Sequence, residues 1–217
     1  MKIIGRILTL IGIALLFGCS NPASNDQPNS DQQTAVPGKE GSETKKSFNE
    51  TVKVLKELGV ISKSEHPEKP DTMPQYDDEN PTGISIFRTG LENKDMSNLD
   101  MQRTFFLRSE IKDCSFKYTY LSGSNLCWND FIKVDFSGAD LSNADLRASI
   151  YDSVYFTGTN LAGADLRRSS FEECDFTLAN MSGTKLTHDI AEGLNLSAEQ
   201  IRQIDWQKND GEEPLGG

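Results

Sequence analysis

Residues that most enzymes depend on are scarce in this chain. Its 217 residues contain only two histidines and four cysteines. His66 lies in a polar run and His188 closes a repeat, and neither has neighbours at metal-ligand spacing. No G-x-S-x-G, H-E-x-x-H or phosphate-loop pattern occurs. The sequence therefore predicts no catalytic residue, no metal and no cofactor, and enzyme activity is not expected. Positive charge is also short, with 22 Lys and Arg against 33 Asp and Glu for a net −11. That balance argues against nucleic-acid binding through basic charge, and no nucleic-acid partner is expected. The acidity sits mostly in the flanks: between Ile86 and His188 there are 11 basic and 14 acidic residues, a balance of only −3.

Long apolar runs are missing too. The stretch Ile7 to Phe17 is too short for a bilayer, which takes about 20 residues. It suits the core of a secretory signal peptide, with Lys2 and Arg6 before it. The run ends Leu16-Phe17-Gly18-Cys19, which resembles the lipobox of bacterial lipoproteins. The resemblance implies cleavage before Cys19 and acylation of that residue, so a membrane is expected as a partner through the N-terminal lipid. Ser20, by resemblance to Gram-negative lipoproteins, favours the outer membrane of the cell envelope. Residues 1–18 are thus read as signal peptide and 19–46 as a lipidated, polar tether. Its random-coil span is roughly 30 Å.

Two short helices are predicted on either side of a long middle region. Ser47-Phe48-Asn49-Glu50 is a capping-box pattern followed by Val52, Leu55 and Leu58 at helical spacing, giving an amphipathic helix within 47–61. It either covers the first turn of the middle region or binds a partner. Residues 62–83 read as a polar linker. Ser197-Ala198-Glu199-Gln200 is a second capping box, leading a helix with Ile201 and Ile204 on one side within the terminal segment 191–217. Such helices cap the open ends of repeat arrays.

The middle region, 84–190, has a five-residue period. Every fifth residue from Leu91 to Leu186 is large and apolar at all twenty positions. Chance agreement in one frame is on the order of one in a billion. Two residues earlier the side chain is usually small, as at Thr104, Ser109, Cys114 and Ala139, while Lys94, Leu99 and Asn129 depart from the pattern. Neither helix nor long strand has period five. Two inward positions flanking one outward residue describe a very short strand, and the remaining two residues turn a corner. Ala139-Asp140-Leu141, Ala144-Asp145-Leu146 and Ala164-Asp165-Leu166 match the A(D/N)LXX motif, and the region resembles the pentapeptide-repeat family. That resemblance implies an all-β fold, a right-handed quadrilateral β-helix with four pentapeptides per coil and short flanking α-helices. A twenty-residue echo, SGADLSNADLRAS against TGTNLAGADLRRS, supports the fourfold count. About five coils are expected, filled by apolar ladders with no interior cavity.

Function must then lie on the outside. Cys114 and Cys174 occupy equivalent inward positions about 14 Å apart, too far for a disulfide. Cys127 points outward on a different side. One outer face gathers Phe105, Arg108, Trp128, Arg147, Arg167 and Arg168, the composition of a partner-binding surface. An envelope protein, an anionic glycan or a headgroup would suit it. The competing reading is a solvated face in which Arg147 and Arg167 pair with Asp145 and Asp165. The functional expectation is a non-enzymatic, membrane-tethered interaction or scaffold module of the envelope. A structural envelope protein is the alternative. Some members of the resembled family mimic DNA and protect DNA gyrase, a role that export and the near-neutral repeat region argue against.

Overall fold

The computed structural model describes residues 44–79 and 81–208; Cys19, the expected signal peptide and most of the expected tether and terminal segment lie outside them. Its elements are α1 (Phe48–Glu57), β1 (Ser85–Phe87), β2 (Gly90–Glu92), β3 (Phe105–Leu107), β4 (Glu110–Lys112), β5 (Asp130–Ile132), β6 (Ile150–Asp152), β7 (Ser170–Glu172), β8 (Lys185–Thr187), α2 (His188–Ala191), α3 (Ala198–Gln203) and β9 (Asp205–Gln207).

All strand pairs are parallel, and each partner lies twenty residues on. A five-stranded sheet runs β2-β4-β5-β6-β7, with Leu91, Ile111, Phe131, Tyr151 and Phe171 in register. Three more ladders complete the square: Asp95–Ser115–Asp135–Tyr155–Asp175, Asp100–Tyr120–Asp140–Asn160–Asn180, and one from Ser85 through Phe105, Asn125, Asp145, Asp165 and Lys185 to Asp205. The fold is a right-handed β-solenoid of about six turns. The sixth turn exceeds the five expected from the sequence. Ile86 extends the inward frame at the start, and β9 rejoins it after a detour through α2 and α3 that breaks the five-residue period.

The repeat residues explain the corners. The carboxylate or amide of the Asp/Asn position accepts the backbone N–H two residues on, as Asp135 does from Ser137 (2.9 Å), Asp140 from Ser142 (3.1 Å) and Asn180 from Ser182 (3.1 Å). This side-chain turn replaces a backbone one, which is why Asp and Asn recur there. One residue further the backbone turns left-handed, at Asn143, Ala148 and Arg168 among others. Gly138 sits in such a corner at φ +66°, and a Cβ there would come within 2.5 Å of the Tyr118 ring.

The core consists of stacked columns. Phe116, Phe136, Phe156 and Phe176 stack with centroids 5.0, 5.6 and 4.8 Å apart. Beside them Phe131, Tyr151 and Phe171 stack at 5.2 and 4.8 Å. Leucines and methionines fill the other two columns, with Ile86 and Phe106 at the start of one of them. The small inward residues form a polar ladder. Ser109 N–H donates to Asn129 Oδ1 (2.9 Å), Asn129 N–H to Ser149 Oγ (3.1 Å) and Ser149 N–H to Ser169 Oγ (3.2 Å). Cys114 and Cys174 hold the equivalent place on another side and are free, their thiols donating to Leu91 O (3.8 Å) and Tyr151 O (3.5 Å). Burial raises the Cys174 thiol to about 11.

Both ends are sealed by polar side chains of the flanking helices. Thr51 of α1 is fully buried and its Oγ1 accepts Asp100 N–H at 2.8 Å, while Lys46 N–H donates to Asn98 O at 3.0 Å. These groups of the first turn have no preceding turn to pair with, so α1 covers the coil. At the other end the buried residue of α3 is Gln200, with Ile201 exposed and Ile204 buried. The two isoleucines expected on one side of the helix therefore differ in burial. Gln200 Nε2 donates to Phe176 O (2.7 Å) and Ala179 O (3.1 Å), carbonyls that the next coil would otherwise satisfy. Gln200→Ala should cost about 1–3 kcal/mol, read as a lower urea midpoint with unchanged m-value. A neutral result would mean that water serves those carbonyls equally well.

Candidate functional site

At one corner, residues twenty apart form an outward column: Arg108, Trp128, Ala148 and Arg168, all left-handed with φ between 52° and 60°. The large residues project from the rod and Ala148 does not, so the column has a gap one rung deep between an indole and a guanidinium. The adjoining column contributes Cys127 and Arg147. A segment far away in sequence closes the side. Asn125 Nδ2 donates to Pro74 O (3.1 Å) and Arg103 to Pro70 O (2.8 Å). A turn closed by Gln75 N–H to Asp78 Oδ2 (2.7 Å) then presents Tyr76. Tyr76, Arg108, Cys127, Trp128, Arg147, Ala148 and Arg168 line a groove of about 400 Å³. Tyr76 is 68% and Trp128 58% exposed.

Of the residues predicted for this face, the structure brings Arg108, Trp128, Arg147 and Arg168 together. Arg167 lines a neighbouring groove with Arg168, Thr187, Asp189 and Lys208. Phe105 is a correction, because it is buried at 5% exposure. It points out of the coil, but it packs with Leu107 and Cys127 in a small cluster beside Phe87, at 6.3 Å between rings. Cys127 is likewise outward yet buried. Burial, aided by a side-chain contact with Asp145, pushes its thiol well above the ordinary range. Tyr76 was missed because it lies in a run read as linker. The only signal was one aromatic in a polar, Pro-rich stretch.

The arginines are positioned by carboxylates two residues earlier. Arg147 forks onto Asp145 with Nε at 2.8 Å and Nη2 at 2.6 Å, and Arg167 onto Asp165 at 2.9 and 2.7 Å. Burial alone would raise the Asp145 carboxyl, but the Arg147 guanidinium and the Cys127 thiol outweigh it and hold the group below its usual range. The pairing reading is therefore realised at Arg147 and Arg167, which serve as fixed walls. Arg108 enters no ion pair among the described residues. Among those residues no group of three or more His, Cys, Asp or Glu is placed to hold a metal, and no helix is long and apolar enough to cross a membrane. His188 stacks on Trp206, ring centroids 4.1 Å apart.

A family model described as pentapeptide repeats matches eight copies over residues 109–147 and 153–188. Similar solved structures include HetL of the cyanobacterium Nostoc sp. strain PCC 7120, a pentapeptide repeat protein involved in heterocyst differentiation regulation. It is 24% identical over 48% of this chain and 44% of its own length, with TM-score 0.47. A pentapeptide repeat protein of the Arabidopsis thaliana thylakoid lumen is 26% identical over 52% of this chain and 71% of its own, TM-score 0.37. QnrB1, a plasmid-mediated fluoroquinolone resistance protein, is 22% identical over 58% and 64%, TM-score 0.30. No curated protein matches the chain. The likeness to QnrB1 overturns the expectation that nucleic acid has no place among the partners.

Proposed function

We propose that this chain, whose residues 109–147 and 153–188 match the pentapeptide-repeat model, is a non-enzymatic interaction module displayed on a lipid tether in a bacterial cell envelope. The observation that carries the interaction reading is the groove over Ala148. A filled coil leaves only its outside for chemistry, and here exposed Tyr76 and Trp128 stand among three arginines. Aromatic and arginine side chains in a concave site are the composition of interface hot spots. The tether reading rests on Lys2, Arg6, the apolar run Ile7–Phe17 and Cys19 followed by Ser20. Two or three acyl chains at Cys19 would hold the protein firmly, each buried CH₂ adding about 0.8 kcal/mol. Ser20 favours the outer membrane.

Both halves are open to direct test in cells. Radiolabelled palmitate should enter the full chain, and Cys19→Ser should abolish the label and release a soluble, folded protein. Label retained in that variant would remove the anchor. A photocrosslinking amino acid at Tyr76 should give one discrete product that Trp128→Ala abolishes, and the same probe at Lys133 should give none. A product at Lys133 alone would move the contact to the sheet face, where Glu110 is in register with Asp130 and Asp152 with Glu172, and where mimicry of a nucleic acid would have to reside.

A further inference from the structure

The groove has a definite internal size, set by the coil and by one small residue. Trp128, Ala148 and Arg168 occupy successive rungs of one column, and rungs are about 4.8 Å apart. A flat ring placed over Ala148 would therefore lie about 4.8 Å from the indole on one side and from the guanidinium on the other. The first separation falls in the range of about 4.5–7 Å over which aromatic rings attract. The second is inside the roughly 6 Å reach of a cation over a ring. Tyr76 closes the open side, and 400 Å³ is enough for an aromatic side chain and its neighbour.

Charge selects the neighbour. Arg147 is matched by Asp145 at 2.6 Å, whereas Arg108, below Trp128, enters no ion pair among the described residues. The Arg108 guanidinium thus calls for a negative charge from the ligand, and a carboxylate supplies one to its planar fork. We propose that the slot over Ala148 receives an aromatic side chain followed by an acidic one, on a segment of a protein partner. The inference rests on the interaction reading above and adds the chemistry of what is bound.

The test uses the full chain in detergent micelles, with the two tryptophan indole N–H signals followed by NMR. Trp206, stacked on His188, is the internal reference. The probes are acetyl-Gly-Phe-Glu-Gly-amide, its Phe-Gln analogue, its Leu-Glu analogue and adenosine monophosphate. The Phe-Glu peptide should shift the Trp128 signal and bind at least fivefold tighter than either analogue. Arg108→Gln should bring it down to the Phe-Gln level without changing Phe-Gln itself. Ala148→Leu should cut its binding about tenfold by filling the slot. Leu178 shows that leucine is accepted at such a corner, with φ +59°. Equal binding of the three peptides overturns the proposal, as does tighter binding of adenosine monophosphate, which would reassign the slot to nucleotides. If no peptide binds while Trp128→Ala still abolishes the Tyr76 crosslink, the ligand class falls and the interaction reading stands.

Discussion

Phe136→Ala is expected to destabilise the protein by about 4 kcal/mol, within the usual range for emptying a buried phenylalanine site. Phe136 is fully buried, stacked between Phe116 and Phe156 and edge-on to Phe131 at 5.4 Å. The column is continuous through the rod, and parallel rungs held in register on all four sides leave the neighbours little room to collapse into the void. At roughly 2–4 °C per kcal/mol for a domain of this size, Tm should fall by about 8–16 °C. The same change at Phe176, which has a stacked partner on one side only, should cost less. In a quasi-one-dimensional fold the middle rung supports two interfaces and the last supports one. Equal losses at the two positions, measured by urea titration, would show that the coil unfolds without regard to rung.

Asn129→Ala should be nearly as costly, and for a polar reason. The side chain is wholly buried, accepts Ser109 N–H at 2.9 Å, and donates to Phe106 O at 2.6 Å and Leu126 O at 2.9 Å. Alanine strands the Ser109 N–H and the Phe106 carbonyl at once, while Leu126 O keeps only the Ser149 hydroxyl. Each orphaned group costs roughly 1–3 kcal/mol, giving a total on the order of 3–5 kcal/mol. Asn129→Ser should recover much of it. Ser149, one rung up, already accepts Asn129 N–H at 3.1 Å and donates to Leu126 O at 3.2 Å with a hydroxyl. If serine proved as damaging as alanine, the volume of the amide rather than its hydrogen bonds would be the cause.

Much of this fold is written in the period. An inward residue every five positions leaves no alternative to a coil, so the columns from Leu91 to Leu186 could be named in advance. The helices were legible from their capping boxes, because a Ser accepting an N–H three residues on is a local event. What the period did not carry depended on contacts between distant residues. The small inward side chain looked like a space-filler, and only the stacked rungs show it as a hydrogen-bond ladder that makes Asn129 a variant rather than an exception. Gln200 serves both its own helix and the carbonyls of another segment, which sequence spacing cannot express. For the groove, the twenty-residue register put Arg108, Trp128, Arg147 and Arg168 on one outer side, and there the structure has them line one groove. The register failed at Phe105 because pointing out of a coil is not the same as meeting water.

The slot over Ala148 inherits its dimensions from the winding itself. Separations along the rod come in whole rungs, so the spacing of the backbone positions that carry the indole and the guanidinium does not drift as loops lengthen or shorten. An inserted or deleted residue would throw every later inward side chain to the wrong side, and length can change only by whole coils. Duplicating the coil that carries Ala148 would widen the slot by one step of about 4.8 Å. Such a binding site evolves in discrete sizes, with its specificity changing by counting turns.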